Sequence, residues 1–240
     1  MMLVILPGLL CDARMFESQL DAFPHSICID GFYGSCTSIE DMAMYALKQI
    51  PGQCTLFGHS MGARVALEVL RIAPERVERL IIADTGIHPV RPGEREKRYA
   101  LRDLGRVHGI EKLVDNWLPP MLGEKSKLND GLVRQLRTMS ISAGLGCYDR
   151  QMEALLSRPE VETLLPKVRC PTLVLVGSED AWSSVEQHRV IAGSVLGAQL
   201  EVIDHAGHMM PAEQPAKLNE VLQAWMASSV QNNFQDRTRS

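Results

Sequence analysis

The pentapeptide Gly58-His59-Ser60-Met61-Gly62 sets a serine between two glycines, directly after the apolar run Thr55-Leu56-Phe57 and directly before a stretch of helical periodicity. A strand–tight turn–helix unit of this kind holds a serine hydroxyl clear at a sharp bend, and the glycines permit the close backbone approach that the bend requires. Such a hydroxyl is a weak nucleophile at neutral pH and needs an oriented base. In this arrangement the partners follow in the chain order Ser, Asp or Glu, His, each on a loop after a strand. Two loops qualify: Gly177-Ser178-Glu179-Asp180-Ala181-Trp182 and Asp204-His205-Ala206-Gly207-His208, each behind an apolar run. The 28 residues from Asp180 to His208 accommodate one helix and one strand, which brings all three groups to the carboxyl ends of adjacent strands. The chemistry is acyl transfer: the serine attacks a carbonyl, a histidine takes its proton, and a carboxylate fixes the imidazole tautomer.

Alternatives stand beside each choice. Asp180 is favoured as the acid, but Glu179 is its neighbour and Asp84 also ends an apolar run. His205 competes with His208 for the base, and His59 reads as a packing neighbour of the turn that borders the substrate. His25, His88, His108 and His188 carry no partner pattern and read as surface or insertion residues. His205 and His208 do not share a helix, given Gly207, and no metal site is expected. An oxyanion would be held by two backbone N–H groups: Met61, which follows the serine, and Leu9, in the loop Leu6-Pro7-Gly8-Leu9-Leu10-Cys11. The mechanism needs no cofactor.

These loops require a frame. Short β-rich runs lie at 3–6, 26–30, 54–57, 80–83, 172–176 and 200–203, continuous and apolar, as expected of strands buried on both faces. Between them run helical patterns at 38–50, N-capped by Ser38, and at 61–72, 184–192 and 213–226. Strands alternating with helices predict a doubly wound, mostly parallel α/β sheet of about six strands. Residues 89–168 break the alternation: no strand is evident over a stretch too long for a plain loop. It reads as a helical cap inserted before the fifth strand. Its first helix, taken as 91–112, carries seven basic against four acidic residues. That excess reads as a solvated face laced with ion pairs, with recognition of an acidic substrate or carrier protein as the alternative. Trp117, Met121, Met139 and Trp182 are candidate pocket residues.

Composition bounds the rest. The chain has 240 residues, 45% hydrophobic and 22% charged, with a net charge of −4. This balance argues against disorder and gives no positive surplus for nucleic acid. Nothing approaches the apolar length of a membrane span. The apolar N-terminus lacks a basic leader and reads as the first strand, and the six cysteines form no C-x-x-C pair, so reduced thiols in the cytoplasm are expected. Residues 1–88 and 169–230 are expected to form the core, and the polar tail 231–240 to be disordered.

Four motifs, LPGLL, GHSMG, VGSEDAW and GHMMPAEQP, make the chain resemble the α/β-hydrolase-fold superfamily, in its capped serine-hydrolase branch, over nearly its whole length. The last motif resembles the family's G-H-x-x-x-x-E-x-P ending, and the resemblance selects His208 over His205. It implies Ser60 as nucleophile, Asp180 as acid and His208 as base. It departs from the family pattern at Pro7, where His is usual, and in beginning at what would be the family's third strand. The substrate implied is a small ester, lactone or other acyl compound, handled by a monomer or homodimer. The alternative implied is the same triad turned to carbon–carbon bond hydrolysis, or to pyruvate elimination as in menaquinone synthesis. A serine at the turn counts against a haloalkane dehalogenase.

Overall fold

The computed structural model describes residues 2–228. Six parallel strands form one sheet in the order β2-β1-β3-β4-β5-β6. They are β1 Leu3–Leu6, β2 Ser26–Cys28, β3 Cys54–His59, β4 Val77–Ala83, β5 Thr172–Gly177 and β6 Gln199–Ile203. The register pairs Leu6 with Gly58 and His59 with Ala83, so the carboxyl ends of β1, β3 and β4 lie side by side. The polar tail 231–240 lies outside the described residues.

Because side chains alternate across a strand, each central strand feeds two cores. Leu3, Ile5, Phe57, Ile81, Leu173 and Leu175 point to one face, and Val4, Leu6, Leu56, Leu80, Ile82 and Val174 to the other. The second face is covered by α2 (Ile39–Gln49), α3 (Met61–Ile72) and α8 (Val185–Ser194), through buried residues such as Met42, Val65 and Ile191. Ser38 caps α2, its Oγ accepting the Asp41 N–H at 3.0 Å. On the first face lie α9 (Pro215–Ala227) and the helical turn Ala13–Phe16 that runs into α1 (Glu17–Ala22), a segment the periodicity does not mark.

Between β4 and β5 the chain forms α4 (Glu94–His108), α5 (Ile110–Trp117), α6 (Asp130–Ala143) and α7 (Leu145–Leu156), with no strand. The single helix expected over 91–112 is two. Gly109, at φ +91°, breaks it, and its N–H caps α4 through the Gly105 carbonyl. The inserted helices do not keep a separate core: Leu113, Trp117, Leu136, Tyr148 and Met152 belong to the same cluster as Ile5, Phe57 and Leu175 of the sheet.

Candidate active site

Ser60 joins β3 to α3 at φ +55°, ψ −117°, a conformation L residues rarely adopt. The bend is possible because its flanking glycines lack side chains. A Cβ on Gly62 would stand 1.9 Å from the Leu6 carbonyl oxygen, and one on Gly58 2.5 Å from the Ala63 Cα. The turn is tied down on both sides of its peptide: Ser60 N–H donates to the Ala83 carbonyl at 2.9 Å, and Thr85 Oγ1 donates to the Ser60 carbonyl at 3.0 Å. Thr85 is itself positioned by His188, whose Nε2 accepts its N–H at 3.0 Å. His188 thus holds a place one contact away from the site, which its isolation in the sequence did not disclose.

His208 Nε2 lies 2.8 Å from Ser60 Oγ, and its Nδ1 lies 2.8 Å from Asp180 Oδ2. Asp180 is buried, and its carboxylate also accepts the Ser183 hydroxyl at 2.6 Å and the N–H groups of Trp182 and Ser183 at 2.7 and 3.0 Å. Burial by itself would raise its pKa, but the His208 imidazole and these donors outweigh it and hold Asp180 well below the usual carboxylate range. Asp180 is therefore ionised where it meets the imidazole, and Nδ1 must carry the proton, leaving Nε2 free to accept one from Ser60.

The sequence alternatives fall elsewhere. Glu179 accepts the Glu124 N–H at 2.7 Å and stands 3.6 Å from His205, pairing the two competitors with each other. His59 is buried, lies 2.7 Å from the His208 carbonyl through Nε2, and is pushed down to about 3 by burial and by His208. It is a neutral ring that braces His208. Asp84 is fully buried 3.7 Å from His59, accepts the Gly177 N–H at 2.9 Å, and is raised well above the ordinary range by burial and then by the charge of Asp180. No group of three or more metal-ligating side chains is assembled among the described residues.

The serine opens into a cavity of about 360 Å³, within the size range of small-ligand pockets. Leu9, Met61, His59, Trp117, Met121 and Trp182 line it. Gly8 brings the Leu9 loop against the turn, since a Cβ there would lie 3.1 Å from Ser60 Cβ. Met61 opens α3, where no intrahelical acceptor exists for its N–H. Met139 does not reach the cavity: α6 turns it into the core, where it is fully buried. Residues not singled out for the site also line it, namely Arg64, Tyr148 and Arg158. The basic segment divides by face. Arg91, Lys97 and Arg98 line the cavity, whereas Arg102 and Arg106 pair with Asp103 and Asp149. The ion-paired reading of that segment thus holds for Arg98, Arg102 and Arg106, which pair with Glu94, Asp103 and Asp149.

A sequence profile of the alpha/beta hydrolase family matches residues 3–221. An sn-1-specific diacylglycerol lipase, ABHD11, of Xenopus laevis is 30% identical over 238 residues, covering 88% of this chain and 75% of that protein. A 3-oxoadipate enol-lactonase of Acinetobacter baylyi is 27% identical over 183 residues, covering 74% of this chain and 65% of the relative's own length. Among solved structures, a thermophilic esterase from Thermogutta terrifontis, with malate bound, superposes with a TM-score of 0.84 at 28% identity, covering 93% of this chain and 88% of the other. No helix among the described residues is long and apolar enough to cross a membrane.

Proposed function

The chain belongs to the alpha/beta hydrolase family and is an enzyme; from that premise we propose that it is a serine hydrolase cleaving a small carboxylic ester or lactone, with Ser60 as nucleophile, His208 as base and Asp180 as acid. The observation that carries this reading is the unbroken hydrogen-bonded chain from Ser60 Oγ through both imidazole nitrogens to a depressed carboxylate. Ester or lactone cleavage is also what the names of the lipase, lactonase and esterase relatives describe.

In the proposed cycle Ser60 Oγ attacks the substrate carbonyl as His208 Nε2 takes its proton. The resulting oxyanion accepts from the N–H groups of Leu9 and Met61, each contributing about 3 kcal/mol. His208 returns the proton to the leaving alkoxide, and Ser60 keeps the acyl group. Water then repeats the sequence: it loses a proton to His208, attacks the acyl carbonyl, and Ser60 leaves with that proton. Residues 89–168 act as a cap, their helices supplying the cavity wall opposite the serine.

A second reading keeps the three residues but turns them to carbon–carbon hydrolysis or pyruvate elimination; the arginines of the cavity wall speak for it, because such substrates are anionic. Burst kinetics with p-nitrophenyl acetate separate the two. A stoichiometric burst abolished by Ser60→Ala and by His208→Ala is the expected result. A folded wild-type protein that shows neither burst nor turnover across a panel of short esters and lactones would overturn the ester reading in favour of the second.

A further inference from the structure

Arg64 sits on α3 one helical turn beyond the serine, about 6 Å along the helix axis. It is 4% exposed, yet no carboxylate among the described residues pairs with it. Its two terminal nitrogens donate to main-chain carbonyls only, those of Pro159 at 3.3 Å and His88 at 2.7 Å. A guanidinium carries five N–H donors, so Arg64 keeps three beyond these two bonds. A charge held out of water without a counter-charge is costly, and burial and the neighbouring Arg158 accordingly pull Arg64 down to about 9.

Its neighbours sharpen the imbalance. Arg91, Lys97, Arg98 and Arg158 line the same cavity, against Glu94. Glu94 is already saturated: Arg158 reaches both of its oxygens at 2.8 Å, Arg98 Nε one of them at 3.0 Å, and the Arg91 N–H the other at 3.2 Å. Among the described residues the only other carboxyl lining the cavity is Asp84, which accepts the Gly177 N–H. Lys97 and the Arg91 side chain make no ion pair among the described residues, and both are exposed at the cavity rim. Elsewhere Arg102, Arg106 and Arg137 each hold a carboxylate, and Arg76, Arg79 and Arg169, which also end on main-chain carbonyls, are half-buried or exposed where Arg64 is buried.

We infer that Arg64, with Arg98, Arg158 and the rim cations Arg91 and Lys97, forms a subsite for a carboxylate carried by the substrate, so that the compound cleaved is an anionic ester or lactone. This inference rests on the reading that Ser60 marks the point of cleavage. Arg64 binds and orients; it takes no part in the proton transfers. A guanidinium presents paired N–H groups to a planar carboxylate, and its rigid seat on α3 fixes the distance from the anion to the serine.

The test separates binding from turnover. Calorimetric titration of the Ser60→Ala protein with monomethyl glutarate and with the neutral methyl butyrate should show at least tenfold tighter binding of the anion. That preference should weaken with added salt. Arg64→Gln should cut the preference about tenfold, with Arg64→Lys restoring part of it. Lys97→Gln, at an exposed position that does not threaten folding, should reduce it severalfold. In the wild type, the ratio of kcat/KM for mono-p-nitrophenyl glutarate over p-nitrophenyl butyrate should exceed ten and fall in both Gln variants. Equal binding of the two methyl esters would overturn the subsite, as would an unchanged preference in Arg64→Gln and Lys97→Gln, or inorganic phosphate displacing monomethyl glutarate at lower concentration than glutarate does. Monomethyl glutarate binding without any ester turnover would leave the subsite standing and sink the ester reading, and turnover without anion preference would do the reverse.

Discussion

Glu213 brackets His208 from below: its Oε1 accepts the N–H groups of Gly207 and Met209, the residues on either side of the imidazole, at 3.0 Å each. Its Oε2 accepts the Gly123 N–H at 2.7 Å, from the segment whose Met121 carbonyl receives the His208 N–H. One buried carboxylate therefore sets the height of the histidine loop and joins it to the inserted helices.

Replacing Glu213 by Gln turns one accepting oxygen into a donor that faces a backbone N–H. Hydrogen bonds to charged groups contribute about 1.5–3 kcal/mol each, so Glu213→Gln should lose about 2–3 kcal/mol of stability in a denaturant titration. It should also lower kcat more than it raises KM. Wild-type stability with unchanged kcat would show that the loop keeps its place without the clamp.

Ser60 occupies its left-handed geometry at a cost of about 1 kcal/mol or more. Ser60→Gly should therefore raise Tm by about 2–4 °C, whereas Ser60→Ala should leave Tm within a degree or so of wild type. Both should reduce turnover by at least about 10³-fold. Calorimetry and initial rates on the three proteins check the pattern; a Gly variant less stable than wild type would contradict the strain.

Asp180 and Asp84 should give opposite dependences of stability on pH. Asp180 is depressed in the folded state, so its contribution is present above the unfolded carboxylate value of about 3.9 and disappears as pH falls. Asp84 is raised, so its contribution is complete below that value and is lost as pH climbs through the folded pKa. Relative to wild type, Asp180→Asn should therefore be most destabilised at neutral pH and recover only as pH falls below about 4. Asp84→Asn should gain steadily from pH 4 to pH 9. Thermal melts from about pH 2 to pH 9 decide it, and parallel curves for the two variants would refute it.

Ser183 donates to the same Asp180 oxygen that meets the imidazole. Ser183→Ala should lower kcat about tenfold with KM within about twofold, since one charge-assisted hydrogen bond is lost from the group that orients His208. Steady-state kinetics against a single ester suffice, and a rise in KM at constant kcat would assign Ser183 to substrate binding instead.

The sheet, the serine turn and the two loops that meet it were legible because local rules determine them. Gly58 is dictated by backbone contacts within a few residues of the turn and Gly62 by the Leu6 carbonyl of the neighbouring strand; the Asp180 loop follows a fully buried apolar run, and the His208 loop follows the edge strand Gln199–Ile203. Arg64 was hidden for the opposite reason. It is one of three charged residues in a mostly apolar helix, and its partners lie 24 and 95 residues away, on carbonyls that carry no side-chain signature. Met139 was misplaced because apolar residues of a helix announce burial but not which neighbour buries them. Glu213 stood in a quoted motif, yet its function is to receive three N–H groups, and backbone amides are anonymous in a sequence.

The shared core of sheet and insertion has a consequence for how this enzyme can change. Leu113, Trp117 and Tyr148 are at once cover for the sheet and supports or walls of the cavity. An insertion with its own core could be exchanged as a module, bringing a new specificity without disturbing the catalyst. Here an exchange would remove the share of that face's core supplied by Leu113, Trp117, Leu136, Tyr148 and Met152, and the graft would have to replace it. New specificity is therefore reached residue by residue, along the cationic wall and the rim at Trp182, within a core that sheet and insertion share.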